Sequence, residues 1–397
     1  MKPDRSLEAI RADLGPLADR PGLAASLAQL GQPGSRHRIT TPAAVIDLDA
    51  LDRNLARQAE RARAAGLAIR PHAKSHKTSA IALRQLALGA SGICCAKLAE
   101  AEALMVRGAG PVLITSPIAG PDKAARAASL ASRDPGFAMT VDHVDGVAEI
   151  GEAARAIGTR VRLVIDVDVG LGRTGVSSLE QAIEVADAIA ADDNLDLVGV
   201  QGYGGQWQHM AGANARAAAV GEGMKTLAAV ASALRAQGHA IGLVTGGGTG
   251  SFSADANQQV LTEVQPGSYA FMDRQYREAL ADDEDGAFET SLFIQAQVIS
   301  ANAPAWVTVD AGLKAFATDG GMPEPSGEAW TGAKFRFFGD EHGMLTRPEG
   351  RVLRRGDRVE LTAPHCDPTI DRHDVLHLVR GDVLVDIVPV EARGASQ

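Results

Sequence analysis

Leu67-Ala68-Ile69-Arg70-Pro71-His72-Ala73-Lys74-Ser75-His76-Lys77 puts a basic turn, with Lys74 near its centre, directly behind a short apolar run. The run has the length of a strand, so Lys74 stands just beyond a strand end, where an enzyme could hold an aldehyde. A lysine amine becomes a nucleophile only when its pKa is lowered or it is held in an adduct with a carbonyl. A basic cluster behind a strand is equally the composition of a solvated turn, and the stretch alone fits both.

Working outward from it, short β-rich runs alternate with Ala-rich helical stretches from Thr41 onward. The first is Ala44-Val45-Ile46-Asp47-Leu48, followed by a helix from Leu51 to Ala65. Further strands are expected at Leu67–Arg70, Gly92–Cys95, Val112–Thr115, Ala138–Val141, Val161–Val167, Leu197–Gln201 and Gly242–Val244, with helical segments such as Lys97–Val106, Gln181–Ala191 and Ala215–Gln237 between them. This rhythm is that of βα units. Seven or eight such units predict an α/β fold with a (β/α)8 TIM barrel rather than an open doubly wound sheet. After about Asp285 strands follow without intervening helices: Leu292–Ile299, Trp306–Val309, Lys334–Phe338, Arg358–Leu361 and Val375–Val379. The expected division is a barrel over 40–285 and an all-β C-terminal domain over 286–397, against which residues 1–39, broken by Pro16, Pro21 and Pro33, are expected to lie. Internal repeats and low-complexity segments are absent from the sequence.

The chain has 397 residues, 45% of them apolar. That length favours two domains, and no run reaches the roughly 18 uninterrupted apolar positions of a membrane span. The first twenty residues mix Lys2, Asp4, Arg5, Glu8, Arg11 and Asp13 with apolar positions, unlike a secretory signal or a transit peptide. Cys94, Cys95 and Cys366 include a vicinal pair and leave an odd count, which points to a reducing compartment, the cytoplasm. With 49 acidic against 39 basic side chains and no basic stripe, neither a nucleic acid nor a membrane is expected as partner.

Four further stretches carry possible chemistry. Thr245-Gly246-Gly247-Gly248-Thr249-Gly250-Ser251 follows an expected strand, and consecutive glycines let backbone N–H groups approach an anion; a plain flexible turn has the same composition. Val167-Asp168-Val169-Gly170-Leu171-Gly172-Arg173-Thr174-Gly175-Val176 frames one arginine at a strand end, suited to an oxyanion or equally to solvent. Gln201-Gly202-Tyr203-Gly204-Gly205-Gln206-Trp207-Gln208-His209 brings an aromatic ring and a histidine that could act as a base or cap a helix. In Pro364-His365-Cys366-Asp367-Pro368-Thr369, His365 and Asp367 would share one side of an extended strand. They would offer half a site for a hard or borderline divalent ion, although His-x-Asp is a common spacing.

In this order the motifs resemble those of the D-threonine aldolase and D-serine dehydratase group, pyridoxal-phosphate enzymes of the alanine-racemase fold type. The resemblance rests on Arg70-Pro71-His72-Ala73-Lys74, Gly92-Ile93-Cys94-Cys95, Gly172-Arg173-Thr174-Gly175-Val176, Thr245-Gly246-Gly247-Gly248-Thr249-Gly250, Gly267-Ser268-Tyr269-Ala270-Phe271-Met272-Asp273, Asp340-Glu341-His342-Gly343 and His365-Cys366-Asp367-Pro368-Thr369, and spans about residues 40–395. It implies that Lys74 carries pyridoxal 5'-phosphate and that Thr245, Gly248 and Thr249 hold its phosphate. Gly267, Ser268 and Tyr269 would sit on the next strand beside that phosphate. Arg173 and Tyr203 would flank the ring, and His209 would act as base on the substrate hydroxyl.

The second metal position separates the group's activities. Similar dehydratases carry a thiolate there and bind zinc, whereas the aldolases carry Asp. Asp367 therefore implies, with His365, a site for Mn²⁺ or Mg²⁺ and retro-aldol cleavage of a D-3-hydroxy amino acid to glycine and an aldehyde, by a carbon–carbon lyase. Elimination by a dehydratase, or glyoxylate release by a D-3-hydroxyaspartate aldolase, is the alternative; a non-catalytic carrier would need neither ligand. Gly204-Gly205 stands where many relatives have His, and Asp340 is expected to line the pocket and to disfavour a second substrate carboxylate. The fold type implies a homodimer.

Overall fold

The apolar runs between Ala68 and Val264 form eight parallel strands, as the βα rhythm predicts. The computed structural model describes residues 5–281 and 283–397. The strands are numbered in chain order, β1 being Ala43–Asp47. The barrel holds β2 (Ala68–Ile69), β3 (Ile93–Cys95), β4 (Val112–Ile114), β5 (Ala138–Val141), β6 (Val161–Asp166), β7 (Leu195–Gly202), β8 (Leu243–Gly246) and β9 (Glu263–Val264), paired in the order β2-β9-β8-β7-β6-β5-β4-β3. The ring closes beyond β2, where His72 bridges in parallel to Cys94 and the Cys94 N–H donates to the Pro71 carbonyl.

Neighbouring residues of a strand point to opposite faces. Cys94, Leu113, Ala138 and Val164 form a small cluster of their own. Cys95, Ile114 and Met139 join the large core with helix residues such as Ala101, Leu130 and Ile150. The two adjacent cysteines thus belong to different packing layers, and all three cysteines are unpaired and buried.

Two expectations are corrected. Ala43–Asp47 does not start the barrel: β1 pairs antiparallel with β10 (Leu292–Ser300) and parallel with β16 (Val375–Arg380) in the second sheet. Its following helix, Leu48–Ala64, capped by the Asp47 carboxylate on the Ala50 N–H, is what leads the chain to β2. The eighth barrel strand is instead Glu263–Val264, whose Glu263 pairs with Arg70 beside β2.

The second sheet has nine strands, mostly antiparallel. Besides β1, β10 and β16 it contains β11 (Trp306–Val309), β12 (Glu324–Ser326), β13 (Phe335–Phe337), β14 (Gly343–Thr346), β15 (Arg358–Thr362) and β17 (Val383–Pro389). Ile10, Leu14, Leu27 and Ile39 of the N-terminal segment pack on Val45, Val379, Leu384 and Ile387 of this sheet. Among the described residues, no helix is long and apolar enough to cross a membrane.

Candidate active site

Lys74 lies in a 3₁₀ turn, Ala73–Ser75, just past β2. The turn is held by His72, whose Nδ1 accepts the Lys74 N–H at 3.3 Å and whose Nε2 lies 3.0 Å from Thr115 Oγ1. Because Nδ1 accepts, the neutral ring carries its proton on Nε2 and donates it to Thr115. Burial, then the charge of Lys74, pushes this imidazole well below its usual pKa. Lys74 Nζ lies 3.8 Å from Asp367 Oδ1 and 6.0 Å from the Tyr203 ring centre. The Asp367 carboxylate raises the lysine pKa against the opposing effect of burial. His72 had no signal of its own in the sequence.

Tyr203 follows β7, and the Arg173 guanidinium sits 5.5 Å from its ring centre. The Arg173 loop folds back on β6 because the Asp168 carboxylate accepts the Gly170 and Gly172 amides and Val176 bridges Val167. Gly175 turns there at φ +103°, where a Cβ would sit 2.5 Å from the Asp168 nitrogen.

The glycine loop is wrapped around Gln208, which the sequence reading missed. Gln208 Oε1 accepts the Gly250 N–H at 2.9 Å, and its Nε2 donates to Ser251 Oγ at 2.9 Å. Tyr269 N–H donates to Thr249 Oγ1 at 3.0 Å. Thr249 and Ser268 are buried, and their own amides meet no acceptor among the described residues. Buried amides are seldom left unpaired, so a phosphate fits here. A Cβ on Gly250 would lie 2.1 Å from the Gln208 carbonyl oxygen. Gly250→Ala is therefore expected to lower stability by about 1–3 kcal/mol and to weaken cofactor retention, checked by melting temperature and by dialysis of the loaded protein.

Other assignments are corrected. Gly267, Ser268 and Tyr269 are not on a strand: β9 ends at Val264, and Ser268–Ala270 is a 3₁₀ turn. Tyr269 is 1% exposed and its hydroxyl accepts from Gln85 Nε2. Thr245 is fully buried, donating to Glu263 Oε1 and accepting from Gln265, so its side chain is committed to the barrel interior. Gly267 packs on the Lys74 turn, where a Cβ would be 3.0 Å from the His72 carbonyl oxygen.

His365 and Asp367 converge on the cleft, but not from an extended strand. His365 caps the short helix Cys366–Ile370, and Asp367 lies in its first turn. His365 Nδ1 bonds Asp319 Oδ2 at 2.7 Å, and its Nε2 is 3.6 Å from Asp367 Oδ2. With Nδ1–H committed to Asp319, Nε2 is the nitrogen available to an ion, the usual second-shell arrangement of a metal-binding histidine. Asp367 Oδ2 accepts from Ser268 Oγ, while the buried Oδ1 has no hydrogen-bond partner and faces only the Lys74 ammonium at 3.8 Å. Burial lowers the His365 pKa, but the Asp367 and Asp319 carboxylates outweigh it and lift the ring to about 9. Burial opposes ionisation of Asp367, yet Lys74 and His365 hold its carboxyl well below the usual range. Among the described residues no cluster of three or more His, Cys, Asp or Glu could hold a metal, so this is a two-ligand half-site. A buried carboxylate without a hydrogen bond on Oδ1, with an imidazole Nε2 facing it, fits a divalent ion that would take the place of the Nε2 proton and leave its other positions to water or substrate.

His209 reaches the same cleft, its ring centre 6.5 Å from that of His365 and 4.3 Å from that of Tyr276. Burial, then His365, lowers its pKa, which keeps it a neutral base. The cleft, of about 790 Å³, is lined by Lys74, Lys314, His365, Asp367, Arg372 and Arg393, among others. Asp340 borders an adjoining cavity of about 380 Å³ with Arg20, Thr41 and Asp310, which shares Lys314 and Arg372 with this cleft.

Residues 46–275 match the alanine racemase N-terminal domain, and residues 291–379 the putative serine dehydratase domain. The chain is 40% identical over 375 residues to the D-threonine aldolase of an Arthrobacter species, spanning 93% of this chain and 96% of that one. It is 38% identical over 362 residues to the 3-hydroxy-D-aspartate aldolase of Paracoccus denitrificans (strain Pd 1222), spanning 90% and 92%. The crystal structure of D-threonine aldolase from Filomicrobium marinum matches with a TM-score of 0.86 at 36% identity, over 91% of this chain and 98% of that one. The chain belongs to the D-threonine aldolase and D-serine dehydratase-like family, built on the alanine racemase N-terminal domain.

Proposed function

We propose that the protein is a carbon–carbon lyase that cleaves a D-3-hydroxy amino acid of the D-threonine kind to glycine and an aldehyde, with pyridoxal 5'-phosphate on Lys74 and Mn²⁺ or Mg²⁺ at His365 and Asp367. The observation that carries this reading is the buried Asp367 Oδ1, which accepts no hydrogen bond and stands 3.8 Å from Lys74 Nζ, with His365 beside the same carboxylate. That proximity puts the amine and the half-site within reach of one small substrate.

The cofactor, when bound, supplies the sink for the electrons of the broken bond, and the ion acidifies a coordinated hydroxyl. The chain does the rest. Lys74 holds the cofactor and returns a proton to Cα of the product. The amides of Thr249 and Ser268 receive the phosphate. Arg173 keeps a fixed positive charge beside the ring face of Tyr203. His209, neutral because its pKa is lowered, accepts the proton of the β-hydroxyl.

One observation favours a second reading within the same chemistry. Lys314, Arg372 and Arg393 border the cleft together with the Asp371 carboxylate. A second substrate carboxylate, as in 3-hydroxy-D-aspartate, would have these cationic side chains to pair with.

The test incubates purified protein, pyridoxal phosphate and Mn²⁺ with D-threonine or D-threo-3-hydroxyaspartate. Glycine, acetaldehyde, glyoxylate and oxo acids are then assayed, with and without EDTA. Glycine with one aldehyde, lost in EDTA, is the expected result, and the aldehyde distinguishes the two readings. An oxo acid with ammonia would replace the aldolase by a dehydratase.

A further inference from the structure

Lys77 is a buried lysine, 9% exposed, in the left-handed backbone region at φ +53°. Only glycine and, less often, Asn or Asp adopt that region without cost, so the surrounding contacts must hold it there. Those contacts come from three elements. Nζ lies 2.8 Å from Asp371 Oδ1, 3.3 Å from Glu100 Oε1 and 3.5 Å from the Ala392 carbonyl oxygen. A lysine ammonium has three donors, so its capacity is filled. The backbone joins in: Lys77 N–H donates to the Ala73 carbonyl at 2.7 Å, and its own carbonyl accepts the Ala392 N–H at 3.1 Å.

Asp371 is the C-terminal cap of the helix Cys366–Ile370, one turn beyond Asp367. Its carboxylate also accepts the Gly394 N–H at 2.9 Å, and its carbonyl accepts from Arg393 Nε. Two cation–carboxylate rungs therefore join the same two segments. Lys74 faces Asp367 at one rung, and three residues on Lys77 grips Asp371 at the other. Once Lys74 carries the cofactor it no longer serves as a free ammonium for Asp367, and of the two ion-pair rungs only the second remains to keep the segments in register.

We propose that Lys77 is a positioning residue that, through Asp371, fixes the His365/Asp367 half-site relative to Lys74. This rests on the reading of that pair as the metal site. Both Lys77 and Asp371 border the cleft, and the role proposed for them is on where the two ligands stand.

The test uses cofactor-loaded, metal-stripped protein and measures Mn²⁺ binding by titration calorimetry, well below the melting temperature of each variant. Lys77→Met and Asp371→Asn are each expected to raise the Mn²⁺ Kd at least tenfold while keeping the bound-cofactor absorbance. The double variant should be no weaker than the weaker single, and Lys77→Arg should regain part of the loss. Asp371→Asn, at a half-exposed position and nearly isosteric, decides the matter should Lys77→Met not fold. Wild-type Mn²⁺ affinity in the folded variants overturns the positioning role. Wild-type protein that binds no Mn²⁺ overturns the metal site itself, and the role with it.

Discussion

Lys74→Ala is expected to leave protein that folds but shows no bound-cofactor absorbance band and is slower in aldehyde release by on the order of 10³-fold or more, since removing a covalent catalytic group has costs of at least that size. The reason is positional as well as chemical. Among the described residues no other lysine pairs with the Asp367 carboxylate, and the neighbouring Lys77 is already committed to Asp371 and Glu100. The variant also removes the positive charge that most strongly holds Asp367 ionised, so the depression of that carboxyl should lessen. Borohydride reduction followed by peptide mapping checks the attachment point directly. A labelled Lys74 in wild type and no label in the variant is the expected pair of results. An unchanged absorbance band in Lys74→Ala would mean that another amine holds the cofactor.

The sequence made β3 to β8 readable because buried parallel strands are short, continuous apolar runs set off by amphipathic helices. The same rule misplaced Ala43–Asp47, since a strand followed by a helix reads alike whichever sheet receives the strand. It overlooked Glu263–Val264, whose two residues are too few for any pattern and whose role is fixed by pairing with β2 and β8. Motif order anticipated that Lys74, Arg173, Tyr203 and the His365/Asp367 pair stand near one another, and they do. Asp319 was not anticipated: it meets His365 from 46 positions away, with no local signature. The partners of Thr245 were not legible, because side-chain direction on a strand depends on register, which here turns its hydroxyl to Glu263. Which cavity Asp340 borders is a tertiary fact that no local pattern carries. The helix at Cys366–Ile370 did have a local signal. Pro368 falls in its first turn, where a missing N–H costs nothing, and the Thr369 hydroxyl donates back to the His365 carbonyl at 2.6 Å.

His365→Ala and Asp367→Ala are each expected to lose tight Mn²⁺ binding, and with it turnover by about 10²- to 10⁴-fold, the range that several kcal/mol of ion stabilisation represents. Added Mn²⁺ should not restore either, because a two-ligand half-site has no protein ligand in reserve. Asp319→Ala should be milder. It leaves both ligands in place but frees the His365 ring to rotate, which typically costs about 10- to 100-fold in metal affinity, and excess Mn²⁺ should recover most of its rate. That grading is the discriminating result. If the pair served only as an ion pair within the cleft, Asp319→Ala would not respond to metal at all, and the three variants would differ in stability rather than in Mn²⁺ dependence. Asp367→Cys carries the argument one step further, since a thiolate favours zinc over manganese. The Cys366 side chain is fully buried, burial pushes its thiol well above the usual pKa, and its Sγ donates to Asp367 Oδ2 at 3.4 Å. Zinc preference with some oxo acid among the products of Asp367→Cys would tie the choice between cleavage and elimination to that one side chain. Full activity in either alanine variant would remove the metal from the mechanism.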